Sequence, residues 1–401
     1  MSRFDQRVLA VDPLRRAEVL TWLEAGLEAV DPERLTREAL KASERDGPAV
    51  VIALGKAAPA MARGAAASIE VIGGICVSDH AEPVPPMLLA MTGDHPVPAR
   101  RSFEAGAAAL ESVTHAPPGA RLLALISGGG SAVCESPRPG VSPEYLNTVT
   151  RALLKEAASI EELNLVRGHL SSIKCGGLAR AAGRVIDTLV ISDVAGADPA
   201  IVASGPTIPV PADPRGAREV MARHHIEIPA SVWDAMTMDV GPLERPGVTL
   251  LADGLDAAKA VATAQTGPHR VSSEWLEGEV EPCLHRFLAA AGTGVTIGVG
   301  ETVVEVTGSG RGGRNTHAAL MAAERLTGTD DLFVSFATDG LDGESGSAGA
   351  IVDGTTIERG GNPRQALAAF DSGGYLARTG DLLLCPATGT NVADLWILWR
   401  Q

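Results

Sequence analysis

LLALISGGGSAV, residues 122–133, decides the fold. Residues 122–127 are apolar without alternation, which reads as a short strand buried on both faces. Gly128, Gly129 and Gly130 follow at once. Three glycines there cost backbone entropy and add no packing, so something requires bare backbone at that point. The same syntax recurs on either side. AVVIAL (49–54) ends at Gly55-Lys56, GGICVS (73–78) is a second strand, and DTLVIS (187–192) ends at Asp193. Helical patterns fill 15–29, 35–44, 56–69, 102–113, 144–158 and 161–170. Ser142 stands as an N-cap before Pro143 in the fifth of these. Apolar strands alternating with helices predict an α/β fold, a parallel sheet with helices on both faces.

A proline-rich loop, GPTIPVPADPRG (205–216), leads to a helical region near 215–237. GPLERPG (241–247) reads as a linker. A second α/β series follows: strands at 248–252, 270–273, 301–307, 331–337, 381–385 and 394–399, with helices at 256–266, 279–292 and 315–326. The 401 residues exceed one ordinary core, so two domains are expected, 1–240 and 241–401. Hydrophobic residues make up 45% and charged residues 21%, a globular balance. No apolar run is long enough to span a bilayer, and charges interrupt the first residues, so the cytoplasm is expected. The five cysteines are scattered without C-x-x-C and read as reduced thiols. His224-His225 reads as a surface pair. A net charge of −15 argues against a nucleic-acid surface, which needs a basic face, and no membrane partner is expected.

In open α/β sheets ligands lie beyond the carboxyl ends of the strands. Those ends carry Gly55-Lys56, Ser127-Gly128-Gly129-Gly130-Ser131, Asp193, the loop Gly308-Ser309-Gly310-Arg311-Gly312-Gly313-Arg314-Asn315, and Thr338-Asp339-Gly340-Leu341-Asp342. Only five lysines exist in the chain, and Lys56 and Lys174 fall inside these motifs. Glycine loops offer N–H groups to phosphate oxygens, cations neutralise phosphate, and an aspartate can hold Mg²⁺ or take a hydroxyl proton. Together they read as phosphoryl transfer. The bland readings are turns, surface cations and D-G turn residues. No G-x-x-x-x-G-K-[ST] and no G-x-S-x-G occurs. Gly308, Gly310 and Gly313 satisfy G-x-G-x-x-G, which keeps a dinucleotide-binding alternative open.

GKAAPAM (55–61), GDHPVPARRS (93–102), ISGGGSA (126–132), NLVRGHLSSIKCGGLA (164–179), SDVAGADPAIVASGPTIP (192–209), GRGGRNTHAAL (310–320), ATDGLDG (337–343), GAIVD (349–353) and ATGTNVADL (387–395) resemble the glycerate 2-kinase family, whose C-terminal part is the MOFRL domain. The resemblance runs from about residue 15 to 400. It implies a Rossmann-like N-terminal domain, a smaller C-terminal α/β domain and an active site in the cleft between them. It implies ATP-dependent, Mg²⁺-assisted phosphorylation of D-glycerate at its 2-hydroxyl by direct in-line transfer. On this reading Lys56, Asp193 and Arg314 are catalytic. Gly55 and Ser127 to Ser131, including Gly128, Gly129 and Gly130, hold nucleotide phosphates. Asn164, Arg167, Lys174, Arg311 and Asn315 bind substrate. Asp193 and Asp339 are metal ligands, with Asp193 as general base equally open. Thr316-His317 stand where the family commonly has Gln-Glu. Some family members are labelled hydroxypyruvate reductases, so an NAD(P)H-dependent reductase is the alternative. A non-catalytic sensor with the same cleft is a second one. The assembly is left open, a homodimer among the options.

Overall fold

The computed structural model describes residues 3–5, 10–43, 47–156, 158–238 and 247–401. The chain clusters into two compact units. Pro32–Leu251 is the central unit. Met1–Asp31 and Ala252–Gln401 together form the terminal unit. The expected single break at 240 does not follow this division, because the first helix belongs with the chain's C-terminal half. The linker expected at 241–247 lies almost wholly outside the described residues.

The central unit holds strands β1 (Ala49–Leu54), β2 (Val71–Ser78), β3 (Leu89–Thr92), β4 (Arg121–Ile126), β5 (Asp187–Ile191) and β6 (Val248–Ala252). Their order is β3-β2-β1-β4-β5-β6, that of a doubly wound dinucleotide-type sheet. The pairings β1–β2, β1–β4, β2–β3 and β4–β5 are all parallel. Every residue of β1 is buried, as a strand covered on both faces requires. Val50, Ile52 and Leu54 pack with Ala105, Ala109 and Val113 of the helix Arg100–Thr114. The helix Ala58–Ala66 packs on β1 and β2. The 248–252 segment was expected to open the second series; it closes the first sheet instead. The 215–237 region divides into Pro214–Arg223 and Ala230–Met236, with His225 at φ 52° in the break.

The terminal unit holds β7 (His269–Glu279), β8 (Gly294–Val303), β9 (Leu332–Ala337), β10 (Gly349–Asp353) and β11 (Asp394–Arg400), in the order β10-β9-β11-β8-β7. β7–β8 is parallel, and β8–β11, β11–β9 and β9–β10 are antiparallel. This sheet is mixed. The strand expected at 301–307 is the tail of β8, which stops at Val303. The segment 381–385 is not a strand: one bridge, Ala350 to Leu382, ties it to the sheet. Its apolar run is explained by burial of Leu382 and Leu383 rather than by a ladder. No helix among the described residues is long and apolar enough to cross a membrane.

Candidate active site

In the central sheet the order reverses between β1 and β4, which pair directly. At such a switch point the two following loops diverge and leave a crevice. Here the two loops are Gly55-Lys56 and Ser127–Ser131, and hydrogen bonds join them. Lys56 N donates to Gly128 O at 2.9 Å. Ala57 N donates to Ser127 Oγ at 3.0 Å, so that hydroxyl is occupied in holding the turn after β1. Gly55 sits at φ +115°, and a Cβ on it would lie 2.4 Å from Ser127 O. Its glycine is therefore demanded by the protein itself. Gly129 differs. It sits at φ +80°, and its nearest neighbours are Lys56 Cγ at 3.2 Å and the His95 ring at 3.7 Å from the Cβ position. Among the described residues the N–H groups of Gly128 and Gly129 have no acceptor. Gly128 is buried. Buried backbone donors without a partner are rare, and an incoming anion would satisfy them.

β2 and β5 bring further groups to the same sheet edge. Asp193, half-buried, follows β5. Asp79 and His80 follow β2, and His80 lies between Asp79 at 2.6 Å and Glu82 at 2.8 Å. The Asp79 hydrogen bond, outweighing partial burial, lifts the His80 imidazolium to about 9. Burial would raise Asp79, but His80, Lys56 and His95 hold its carboxyl below the usual range. Lys56, Asp79, His80 and His95 therefore act on one another electrostatically. Asp79, His80 and His95 were not singled out by the sequence. Their signal is position, at or after a strand end and within the GDHP segment.

Behind the loop lies a buried ionic cluster. Glu135 is fully buried and meets Lys174 Nζ at 2.9 Å and Arg167 at 3.4 Å. Ser171 Oγ donates to its other oxygen at 2.5 Å. Burial pushes the Glu135 carboxyl up, but Lys174, Arg167 and Ser171 prevail and hold it below its ordinary value. Burial, then the like charge of Arg167, brings Lys174 down to about 8. Both cations also donate to Ser131 O, at 2.8 and 2.7 Å. Two cations against one carboxylate leave one positive charge under the glycine loop. Ser131 Oγ lies 3.0 Å from Ser204 Oγ, which donates to Asn164 Oδ1 at 2.7 Å. Ala203 and Ser204 hold φ of 51° and 59°. Such conformations are costly away from glycine and collect at functional sites. Of the expected substrate residues, then, Asn164, Arg167 and Lys174 are gathered against Ser131. Arg167 and Lys174 are buried supports of the loop. Glu135, Ser171 and Ser204 complete the group and were missed, although Glu135 follows the glycine loop by only five residues.

In the terminal unit the second glycine loop has a different character. Asp342 accepts from Asn315 N and Thr316 N, both at 2.8 Å, and so caps the helix Arg314–Leu326. A Cβ on Gly313 would meet that carboxylate at 2.3 Å. On Gly308 it would meet Ala369 O at 2.3 Å, and on Gly310 Asp371 N at 2.5 Å. These glycines are required by packing within the protein. Arg314 is bound to Asp394 at 2.5 and 3.1 Å and to Glu301 at 2.5 Å. Burial opposes its charge, but Asp394, Glu301 and Asp339 hold its guanidinium above the ordinary range. Burial lifts Asp394 to about 6 against Arg314, and Glu301 and Asp339 push the same way. Arg311 is exposed, with its N–H on Asp371. Asn315 is buried and accepts from Ser335. Asp339 is buried and receives Leu341 N at 2.9 Å. The departure at Thr316-His317 is filled locally: Thr316 Oγ1 accepts from Gly313 N, and His317 stacks on Phe370 at 5.2 Å. Among the described residues no three His, Cys, Asp or Glu side chains converge to hold a metal ion.

These features define an α/β protein with a doubly wound sheet and a cation-backed glycine loop at its switch point. Comparison with known proteins narrows the class. A domain of unknown function (DUF4147) matches residues 18–237, and the MOFRL family matches residues 294–394. The chain is 36% identical over 402 residues to the D-glycerate 2-kinase of Thermotoga maritima, covering 92% of this chain and 95% of that one. It is 34% identical over 388 residues to an Agrobacterium vitis protein with the provisional name hydroxypyruvate reductase, covering 87% and 98%. A crystal structure of glycerate kinase from Thermotoga maritima superposes with a TM-score of 0.86 at 34% identity, covering 97% of this chain and all of that one. The chain belongs to the glycerate 2-kinase family, in which a DUF4147 domain precedes a MOFRL segment.

Proposed function

We propose that the protein is a glycerate kinase that transfers the terminal phosphoryl group of ATP to the 2-hydroxyl of D-glycerate, giving 2-phosphoglycerate and ADP. One observation carries the reading. Among the described residues the N–H groups of Gly128 and Gly129 have no acceptor, their loop adjoins Lys56, and a buried cluster of two cations and one carboxylate supports it. That combination suits phosphate oxygens, and in phosphoryl transfer positioning and charge stabilisation account for most of the catalysis. Lys56 neutralises the charge that develops on the transferring group. The Gly128 and Gly129 N–H groups hold phosphate oxygens in place. Asp193 holds Mg²⁺ or accepts the 2-hydroxyl proton. A magnesium ion shared with substrate phosphates needs only one or two protein carboxylates, a role Asp193 would fill. Mg²⁺ would neutralise phosphate charge. Ser131, held by Ser204 and by the carbonyl contacts of Arg167 and Lys174, sets the loop's geometry. Arg314 and Arg311 are proposed to meet substrate anions, and Asn315 and Asp339 to support them. The ties of Arg314 to Asp394 and Glu301 preset its position.

The reductase alternative needs an open helix N-terminus after Gly308-x-Gly310-x-x-Gly313 for a pyrophosphate. Asp342 occupies that end. The strand before the loop, β8, also lies beside β11 rather than β9, unlike a dinucleotide βαβ unit. Both observations favour the kinase. The test is a coupled assay with D-glycerate, ATP and Mg²⁺ that reads ADP, with the phosphoglycerate isomer identified by NMR. The 2-isomer is expected. The 3-isomer would overturn the regiochemistry, and NADH oxidation with hydroxypyruvate in place of ADP would overturn the class. Lys56→Met is expected to lower kcat by on the order of 10²–10³, the usual cost of losing one charge-stabilising group, with the melting curve unchanged. Unchanged turnover would remove Lys56 from the mechanism.

A further inference from the structure

The central unit carries a second cavity, of ≈ 250 Å³, whose wall includes Arg138, Asn164, His169, Arg180, Ile201 and Val210. Nothing in the proposed reaction uses its two arginines. Among the described residues Arg138 donates only to carbonyls, those of Ser171, Ala235 and Gly168. Arg180 donates to Cys175 O at 2.8 Å, and its buried Nε has no partner among the described residues. Among the described residues neither guanidinium forms an ion pair. Glu161 and Asp198 also line the cavity but lie beyond ion-pair distance of both. His169 does not add charge: burial holds its imidazole below the ordinary value, Nδ1 faces Leu165 O, and Nε2 accepts from Asp213 N. The rest of the wall is largely apolar, with Ile160, Leu165, Ile201 and Val210.

We infer that this cavity is a binding site for a small organic monocarboxylate with a branched or aromatic body. Two guanidiniums in one cavity wall, neither paired with a carboxylate among the described residues, match an incoming carboxylate. The apolar wall matches the body. The two rim carboxylates disfavour a phosphate dianion. The site is wired to the glycine loop. Asn164 lines the cavity, and its Oδ1 accepts from Ser204 Oγ, which in turn meets Ser131 Oγ. Occupancy therefore acts on the phosphate-binding loop. This coupling rests on the kinase reading, whereas the binding does not.

The binding is tested by calorimetry and ligand-observed NMR on the full chain without nucleotide. Propionate, isovalerate and benzoate are the probes, and benzyl alcohol is the neutral control. Affinity is expected to rise along the acid series and to fall at least tenfold for the alcohol. Arg180→Gln is expected to weaken benzoate at least tenfold, and Val210→Trp to abolish its binding, both with native circular dichroism. If none of the three acids binds saturably, or if binding survives both substitutions, the site is overturned. In the kinase assay, saturating benzoate is expected to shift the KM for ATP in the wild type and not in Val210→Trp. Binding with unaltered kinetics would overturn the coupling. Strict competition with D-glycerate would make the cavity the acceptor site and overturn its assignment as a second one.

Discussion

Gly129 shows what a single residue contributes to this site. Its φ of +80° is available to glycine and costs other residues about 1–2 kcal/mol. The Cβ of an alanine would press on Lys56 Cγ, 3.2 Å away. Gly129→Ala is therefore expected to lower the denaturation midpoint modestly and to raise the KM for ATP more than tenfold. A KM left at the wild-type value would show that the loop does not approach phosphate. Glu135 makes the opposite point, that a residue remote from solvent can govern the same loop. Glu135→Gln keeps an acceptor for Ser171 but leaves Lys174 and Arg167 buried without a counter-charge. Breaking a buried pair in this way costs about 3–5 kcal/mol. Urea unfolding of the variant reads that loss directly, and a change below about 1 kcal/mol would show that water already compensates the two cations.

At the scale of elements, the end of β2 gives a pH dependence. The imidazole of a free histidine titrates near 6.5, while His80 between Asp79 and Glu82 titrates at about 9. Below 6.5 it is charged in both folded and unfolded states, so its attraction to Asp79 contributes fully. That contribution is lost as pH rises through 9. The stability difference between the wild type and His80→Gln should accordingly shrink between pH 6.5 and 9. A difference that stays constant across the window would show that His80 is not charged in the native state. Much of this architecture was legible beforehand. Unbroken apolar runs marked β1, β4 and β5, and the glycines after β4 marked the loop. Other elements were not legible because their cause is tertiary. The run at 381–385 is apolar for burial, not for pairing, and 248–252 joins a sheet whose other strands end some sixty residues earlier. The two glycine loops look alike in sequence. Only their neighbours distinguish them, with Asp342 filling one helix end while the N–H groups of Gly128 and Gly129 have no acceptor among the described residues. Glu135 carried no motif of its own, since its partners lie more than thirty residues away.

For the whole molecule, the discontinuity of the terminal unit matters most. The helix Pro13–Ala29 buries Val19, Leu20, Leu23 and Leu27. It packs on the helix Gly254–Thr263, closely enough that a Cβ on Gly26 would lie 3.0 Å from Val261. Trp22 meets Trp399 of β11 at 5.0 Å, and the Arg15 guanidinium lies 4.5 Å over the same ring. Those apolar side chains have their partners more than two hundred residues away, so the fold of residues 252–401 depends on chain made at the other end. Leu23→Ala is expected to cost about 2–5 kcal/mol, the range for emptying a well-packed leucine site. A chain beginning at Pro32 would lose all four side chains at once and expose the surface they cover. Hydrogen exchange measures the consequence. In that truncated chain the amides of β8 and β11 should lose their protection. Retained protection there would mean that residues 252–401 fold without the first helix, and that the helix is an accessory to the terminal unit rather than part of its core.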